Sequence, residues 1–319
     1  MLHVRVVSPP GSTDDLVERL SADPGVRNLV VIRGAARHPD GDAVQFDLLT
    51  QFANPVLREL RARVQDQGSV VIQNVDAAIS GPGDPGDHRA QRYGEVPPVW
   101  EMVESKIREG GQYPLSFYAL LVIAGLIGAV GILTNSQILI VGAMVVGPEY
   151  GAIMATALGL DKRNGHAVRQ GLTALAAGFA VAVLVTLVFG LLIRWSGDTP
   201  RFYEQGVRPV SDLINSPNVF SVIVAVLAGA VGVVSLTESR ANALIGVFIS
   251  VTTIPAAADM GLSIAYHSWT EARGSTFQLL LNVLVLVAVG ALGLRLQRSI
   301  WRGRTTRTAA RARRSPPDA

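Results

Sequence analysis

Residues 134–160 read TNSQILIVGAMVVGPEYGAIMATALGL, an apolar run long enough to cross a bilayer. At its middle stand Gly147, Pro148 and Glu149. Proline removes a donor from the helical ladder, and a carboxylate in hydrocarbon is costly. Such an interruption persists only where protein or a water-filled cavity surrounds it, because lipid satisfies no backbone polar group. The stretch therefore predicts a broken membrane helix.

Outward from it, further apolar stretches fall at about 115–133, 172–193, 219–236, 241–266 and 277–294, making six with 136–160. Each has roughly the 17–25 residues that a span requires. Basic residues near the ends set the orientation. Eight arginines follow Leu294, and Lys162, Arg163 and Arg169 lie in the loop after the broken segment. The loops on the other side are sparser in Lys and Arg. Both termini are predicted cytoplasmic, in a multi-pass protein of a bacterial cytoplasmic (inner) membrane. The arginine tail, next to a membrane exit, is read as a topology and anionic-lipid signal rather than a nucleic-acid arm.

The chain is 49% hydrophobic, but unevenly so. Residues 1–114 carry 12 Lys/Arg against 16 Asp/Glu, net −4, whereas 115–319 carry 16 against 9, net +7. The predicted divisions are a cytosolic domain (1–79), a linker with an interfacial amphipathic helix (80–114), the membrane domain (115–296) and a basic cytoplasmic tail (297–319). The first 79 residues alternate strand and helix signals in the order βαββαβ, a ferredoxin-like α+β arrangement. Strands are expected near His3–Val7, Val26–Ile32, Ala43–Leu49 and Ser69–Val75. The linker is rich in Gly, Pro and charge, and Val99, Val103 and Ile107 share a helical face after it.

The membrane part contains an internal echo. Gly128-Ala129-Val130-Gly131 recurs as Gly229-Ala230-Val231-Gly232, and Ile140-Val141-Gly142 recurs as Leu244-Ile245-Gly246. Each half then reaches a proline, Pro148 or Pro255, and a carboxylate, Glu149 or Asp259. Three segments per half is odd, so the second half enters the membrane from the opposite side. Six transmembrane helices as two inverted three-helix repeats with broken second helices is a secondary-transporter architecture, with substrate bound where the breaks meet.

TNSQILIVGAMVVGP and SRANALIGVFISVTTIP resemble the bacterial and archaeal "uncharacterised hydrophobic domain" membrane family, catalogued as a domain of unknown function (number three-eight-nine). The resemblance covers about residues 115–294. It implies a fold and a membrane location, and no substrate. The family pattern has an apolar residue after the first proline and a second proline after the other; Glu149 and Ala256 stand there in this chain.

The candidate substrate- or ion-binding residues are Gly147, Pro148, Glu149, Thr252, Thr253, Pro255 and Asp259 at the breaks, with Asn135 and Asn242 near the segment starts. A carboxylate after Pro148 suits the positive end of a half-helix, and at membrane depth it is also a candidate coupling group. If the halves are related by a twofold, Asp259 is expected beside Glu149, where two acids would share a proton or hold a cation. Asn135 and Asn242 fit helix caps, and the two threonines fit donors or acceptors for the interrupted backbone.

The chain has no cysteine, which excludes disulfides and thiolate chemistry. It carries no P-loop, nucleophile elbow, zinc motif or dinucleotide fingerprint. The expectation is a non-enzyme without cofactors: a transporter or channel for a small solute or ion, homo-oligomeric, with a cytosolic regulatory domain. The alternative is a membrane-anchored sensor or assembly scaffold whose soluble domain binds the ligand or partner.

Overall fold

Alternation in the first strand, β1 (Leu2–Ser8), puts Leu2, Val4 and Val6 on one fully buried face. In the computed structural model, which describes residues 1–64, 68–75, 99–237 and 253–312, these side chains meet Val44, Phe46 and Leu48 of β3 (Asp40–Leu48). Helix α1 (Thr13–Ser21) adds Leu16 and Leu20 to that core, and α2 (Ala53–Val64) adds Val56, Leu57 and Leu60. Burying side chains of this size is worth about 1.5–3 kcal/mol each. With β2 (Val26–Arg37) and β4 (Ser69–Asn74) the sheet is antiparallel in the order β2-β3-β1-β4. The element order is the βαββαβ expected. The second strand runs five residues beyond Ile32, because the β2–β3 hairpin zips to Arg37 and Asp40.

The chain divides into two units, Met1–Val103 together with the residues after Arg298, and Glu104–Arg298; one boundary falls inside α3 (Trp100–Gly110) and the other inside the last helix. Val99 and Met102 join the core of the first unit, and Ile107 is 2% exposed. Val99, Val103 and Ile107, the apolar face predicted from the sequence, are each buried.

In the second unit, α4 (Leu115–Leu133), α7 (Gly165–Ser196), α10 (Val219–Thr237) and α12 (Trp269–Ala312) contain membrane-length apolar segments. A bent pair, α5 (Gln137–Val146) and α6 (Glu149–Asp161), forms one further broken span with a 54° turn. Four candidate spans, or five counting the pair, are therefore found among the described residues. Of the stretch 241–266, α11 (Ile254–Ala265) is described. The 194–218 connection, read from sequence as plain loop, holds two short helices, α8 (Arg201–Glu204) and α9 (Pro209–Ile214).

Small residues let these helices approach closely. A Cβ on Gly125 would stand 3.2 Å from Thr186 of α7, and one on Gly128 3.1 Å from Ala258 of α11. A Cβ on Gly261 would meet the Val183 carbonyl of α7 at 2.7 Å. Large apolar side chains at Leu184, Leu192, Leu280 and Leu284 instead point outward, more than half exposed. That is the pattern of a surface whose solvent is lipid.

Charged groups gather at the two ends of the unit. At one end Arg298 bridges Asp161 (2.7 Å) and Glu104 (3.2 Å), Lys162 also pairs with Glu104, and Arg295 reaches Asp161. At the other, Arg208 binds Glu271 (2.6 Å) and Arg194 donates to the Ala265 carbonyl (3.0 Å).

Candidate functional site

The break in residues 134–160 is made by Gly147 and Pro148. Helix α5 ends at Val146, Gly147 turns extended (φ −62°, ψ 126°), and Pro148 stands in the cap position immediately before α6. Glu149 is thus the first residue of its half-helix, where a negative charge suits the exposed N–H groups and the helix dipole. Its side chain is fully buried. The carboxylate folds back over Gly147: a Cβ there would lie 2.4 Å from Glu149 Oε2 and 3.0 Å from Ile254. Only glycine leaves room for the acid.

Thr253 holds the other oxygen. It occupies the cap position of α11 without capping it, and its Oγ1 donates to Glu149 Oε1 at 2.7 Å. Pro255 opens α11 at its second position, where a missing N–H costs nothing. The two prolines therefore mark helix starts that face each other through one hydrogen bond. Thr252 and Asn242 lie outside the described residues.

Helix α3 reaches this break. A Cβ on Gly151, two residues past Glu149, would stand 2.6 Å from the Gly110 carbonyl, and one on Gly111 would stand 3.1 Å from Ala155. Backbone lies directly against backbone there.

Asp259, also fully buried, has a separate set of partners. Ser211 of α9 donates to its Oδ1 at 2.5 Å, and Ser275 of α12 donates to its Oδ2. Asn215 in turn donates to Ser211 at 3.4 Å. Six residues along α11 separate Asp259 from Thr253, about 9 Å of rise and some 240° of rotation, which turns it to another face of the helix. The expected meeting of Glu149 and Asp259 is not what the hydrogen bonds describe: each acid is held by its own hydroxyls.

Asn135 sits at the far end of α5 from the break, exposed and in the left-handed region (φ 51°), next to Ser136, which caps α5 by accepting from Leu139. It is a turn residue, remote from both acids along the chain.

Ser211, Tyr203, Arg208 and Glu271 were not singled out by the sequence. They come from a connection that looked like loop and from the polar edge of the last helix. A signal did exist for Ser275: with Gln278 and Asn282 it makes a polar stripe at helical spacing along an otherwise apolar segment. Arg208 lies over the Tyr203 ring, 4.3 Å from its centre, and donates to the Tyr203 carbonyl as well as to Ser268 and Glu271. Burial pushes the Tyr203 phenol up, and the nearby Asp259 adds to this.

The apolar helices, with acids and hydroxyls buried between them, define a multi-pass membrane protein. Residues 144–288 match the family model described as "Domain of unknown function (DUF389)", the family that the two proline motifs resembled. A curated relative, the uncharacterized protein MJ0678 of Methanocaldococcus jannaschii, is 20% identical over 167 residues, 52% of this chain. The matched region spans about half (49%) of that relative's length. No solved structure matches.

Proposed function

We propose that the chain is a transporter or channel for a small solute or ion, built from six spans in two inverted three-helix halves, with its N-terminal domain as regulator. The observation that carries this reading is the contact between the two helix breaks: Thr253 donating to the buried Glu149 at 2.7 Å. Paired discontinuous helices with polar groups between their ends are how transporter folds build a site in hydrocarbon.

The helix boundaries support the repeat. Helices α4 and α10 begin 104 positions apart, at Leu115 and Val219. Helices α7 and α12 begin 104 apart as well, at Gly165 and Trp269. Before each comes the same turn, with Arg163 (φ 55°) and His267 (φ 58°) left-handed. In each turn a backbone bond of 2.8 Å follows, Asn164 N to Gly159 O and Ser268 N to Ser263 O. Glu149 and Thr253 are themselves 104 apart. Residues equivalent under a twofold touch each other only on its axis, so the proposed repeat would have this pair at its centre.

The proposed orientation puts the Arg298–Asp161–Glu104 end in the cytoplasm of a bacterial inner membrane, the Arg208–Glu271 end outside, and both termini inside. The approach of Gly110 to Gly151 gives α3 a direct hold on the break, a route by which the first unit could regulate it.

Proteoliposomes containing the full chain, tested with a panel of small ions and neutral solutes, decide between this reading and a sensor or scaffold. Passage above protein-free vesicles that changes in Glu149→Gln supports transport. Folded, reconstituted protein that passes nothing contradicts it.

A further inference from the structure

Buried hydroxyls in the membrane helices normally bond back to the preceding turn, since hydrocarbon offers no alternative. Thr156 does so to Ala152 (2.7 Å), Thr186 to Val183 (2.9 Å) and Ser235 to Gly232 (2.9 Å). Around Asp259 the pattern changes. Ser211 and Ser275 turn their hydroxyls to the acid. Ser263, one turn further along the same face of α11, is fully buried and its hydroxyl has no hydrogen-bond partner among the described residues. The same is true of the fully buried Tyr203 hydroxyl and of Gln278 Oε1, one turn beyond Ser275.

The local charge is also unbalanced. Arg208 is engaged by Glu271, Ser268 and the Tyr203 carbonyl, and Arg194 by the Ala265 carbonyl. Glu271, itself partly exposed, balances Arg208, whereas the fully buried Asp259 accepts only from the neutral hydroxyls of Ser211 and Ser275 and pairs with no cation among the described residues. A buried charge without a counter-charge is costly, and hydroxyl donors offset only part of that.

We propose that Asp259, with the oxygens of Ser211 and Ser275, is a binding site for one monovalent alkali cation. The available donors are all hard oxygens, one carboxylate among neutral hydroxyl, phenol and amide groups, which suits a hard cation and gives soft metals nothing to prefer. No cluster of three or more His, Cys, Asp or Glu exists among the described residues to hold a multivalent ion. One positive charge balances the site; two would overcompensate it. Ser211 comes from α9, in the connection between α7 and α10, so binding ties that connection to α11 and α12. The proposal rests on the reading of this unit as a membrane domain, and it concerns binding, so it stands or falls separately from solute flux.

The test is thermal stability of the detergent-purified full chain in sodium, potassium or lithium chloride, against choline chloride at equal ionic strength and fixed pH. A saturable rise in Tm of about 2–4 °C at tenfold excess over Kd is expected with at least one alkali cation and not with choline. Asp259→Asn abolishes the response, whereas Gly142→Ala, whose added methyl meets nothing within 4 Å, keeps it. If Asp259→Asn does not fold, Ser211→Ala serves in its place and shifts the half-saturating concentration upward by about tenfold, a loss of one hydrogen-bonding ligand. Equal Tm in choline and in every alkali salt overturns the proposal. So does a response that persists in Asp259→Asn or is unshifted in Ser211→Ala, or a stability that follows pH alone through the groups facing the site (Asp259, Glu271, Arg208, Tyr203 and Tyr266).

Discussion

Thr253 Oγ1 donates to Glu149 Oε1 at 2.7 Å, joining two helix starts 104 residues apart in the sequence, with both side chains fully buried. Thr253→Val keeps the shape and removes the donor. A buried carboxylate that loses a hydrogen bond costs about 1–3 kcal/mol. The expected result is a lower Tm for Thr253→Val, with Thr253→Ser close to wild type. A Tm for the valine variant equal to wild type would mean that the bond contributes nothing.

Much of this is legible in the sequence. Pro148 and Pro255 announced the breaks because proline cannot sit inside a helical ladder in lipid, and βαββαβ followed from alternation and turn residues in the first 79 positions. What sequence missed came from long-range packing. Nothing local distinguishes Ser211 from a loop serine; its role exists because α9 folds back against α11, a contact 48 residues away in the chain. Glu149 and Asp259 take different hydroxyl partners for a rotational reason: a helix turns about 100° per residue, and six residues carry Asp259 away from the face that Thr253 presents.

Sidedness is testable cleanly because the chain has no cysteine of its own. His166 and Asp198 are exposed at opposite ends of α7. In intact cells, an impermeant maleimide is expected to label Asp198→Cys and to leave His166→Cys untouched until the membrane is opened. Labelling of both from outside would contradict the proposed orientation.

In the N-terminal unit, the Gly34 amide donates to Asp42 at 2.7 Å, and Thr13 and Arg33 also donate to its carboxylate. These bonds hold Asp42 below the usual carboxylate range. Its contribution to stability is therefore present above the unfolded value of about 3.9 and is lost as pH falls through the lower folded value. Hydrogen exchange at β2–β3 amides should show Asp42→Asn less protected than wild type at pH 7. The difference should shrink as pH drops below about 4. A gap that widens in acid would refute this sign.

Gly111 shows how tightly α3 meets α6, since its Cβ would stand 3.1 Å from Ala155 and 3.3 Å from the Arg108 carbonyl. Gly151→Ala is more severe, placing a methyl 2.6 Å from the Gly110 carbonyl, which is backbone and cannot step aside. The expected loss is at least the 1–3 kcal/mol typical of overpacking, about 2–4 °C or more in Tm. A variant as stable as wild type would show that α3 does not bear on the break.

The Gly147–Glu149 break is the proposed functional site. The most direct measurement compares Gly147→Ala with Gly142→Ala in the reconstituted flux assay. A methyl at 147 would meet the Glu149 carboxylate at 2.4 Å, whereas a methyl at 142 would meet nothing within 4 Å. The prediction is that Gly147→Ala changes flux by about tenfold or more, equivalent to about 1.4 kcal/mol, while Gly142→Ala matches wild type. Equal flux through both variants, at equal reconstituted amounts, would contradict the account.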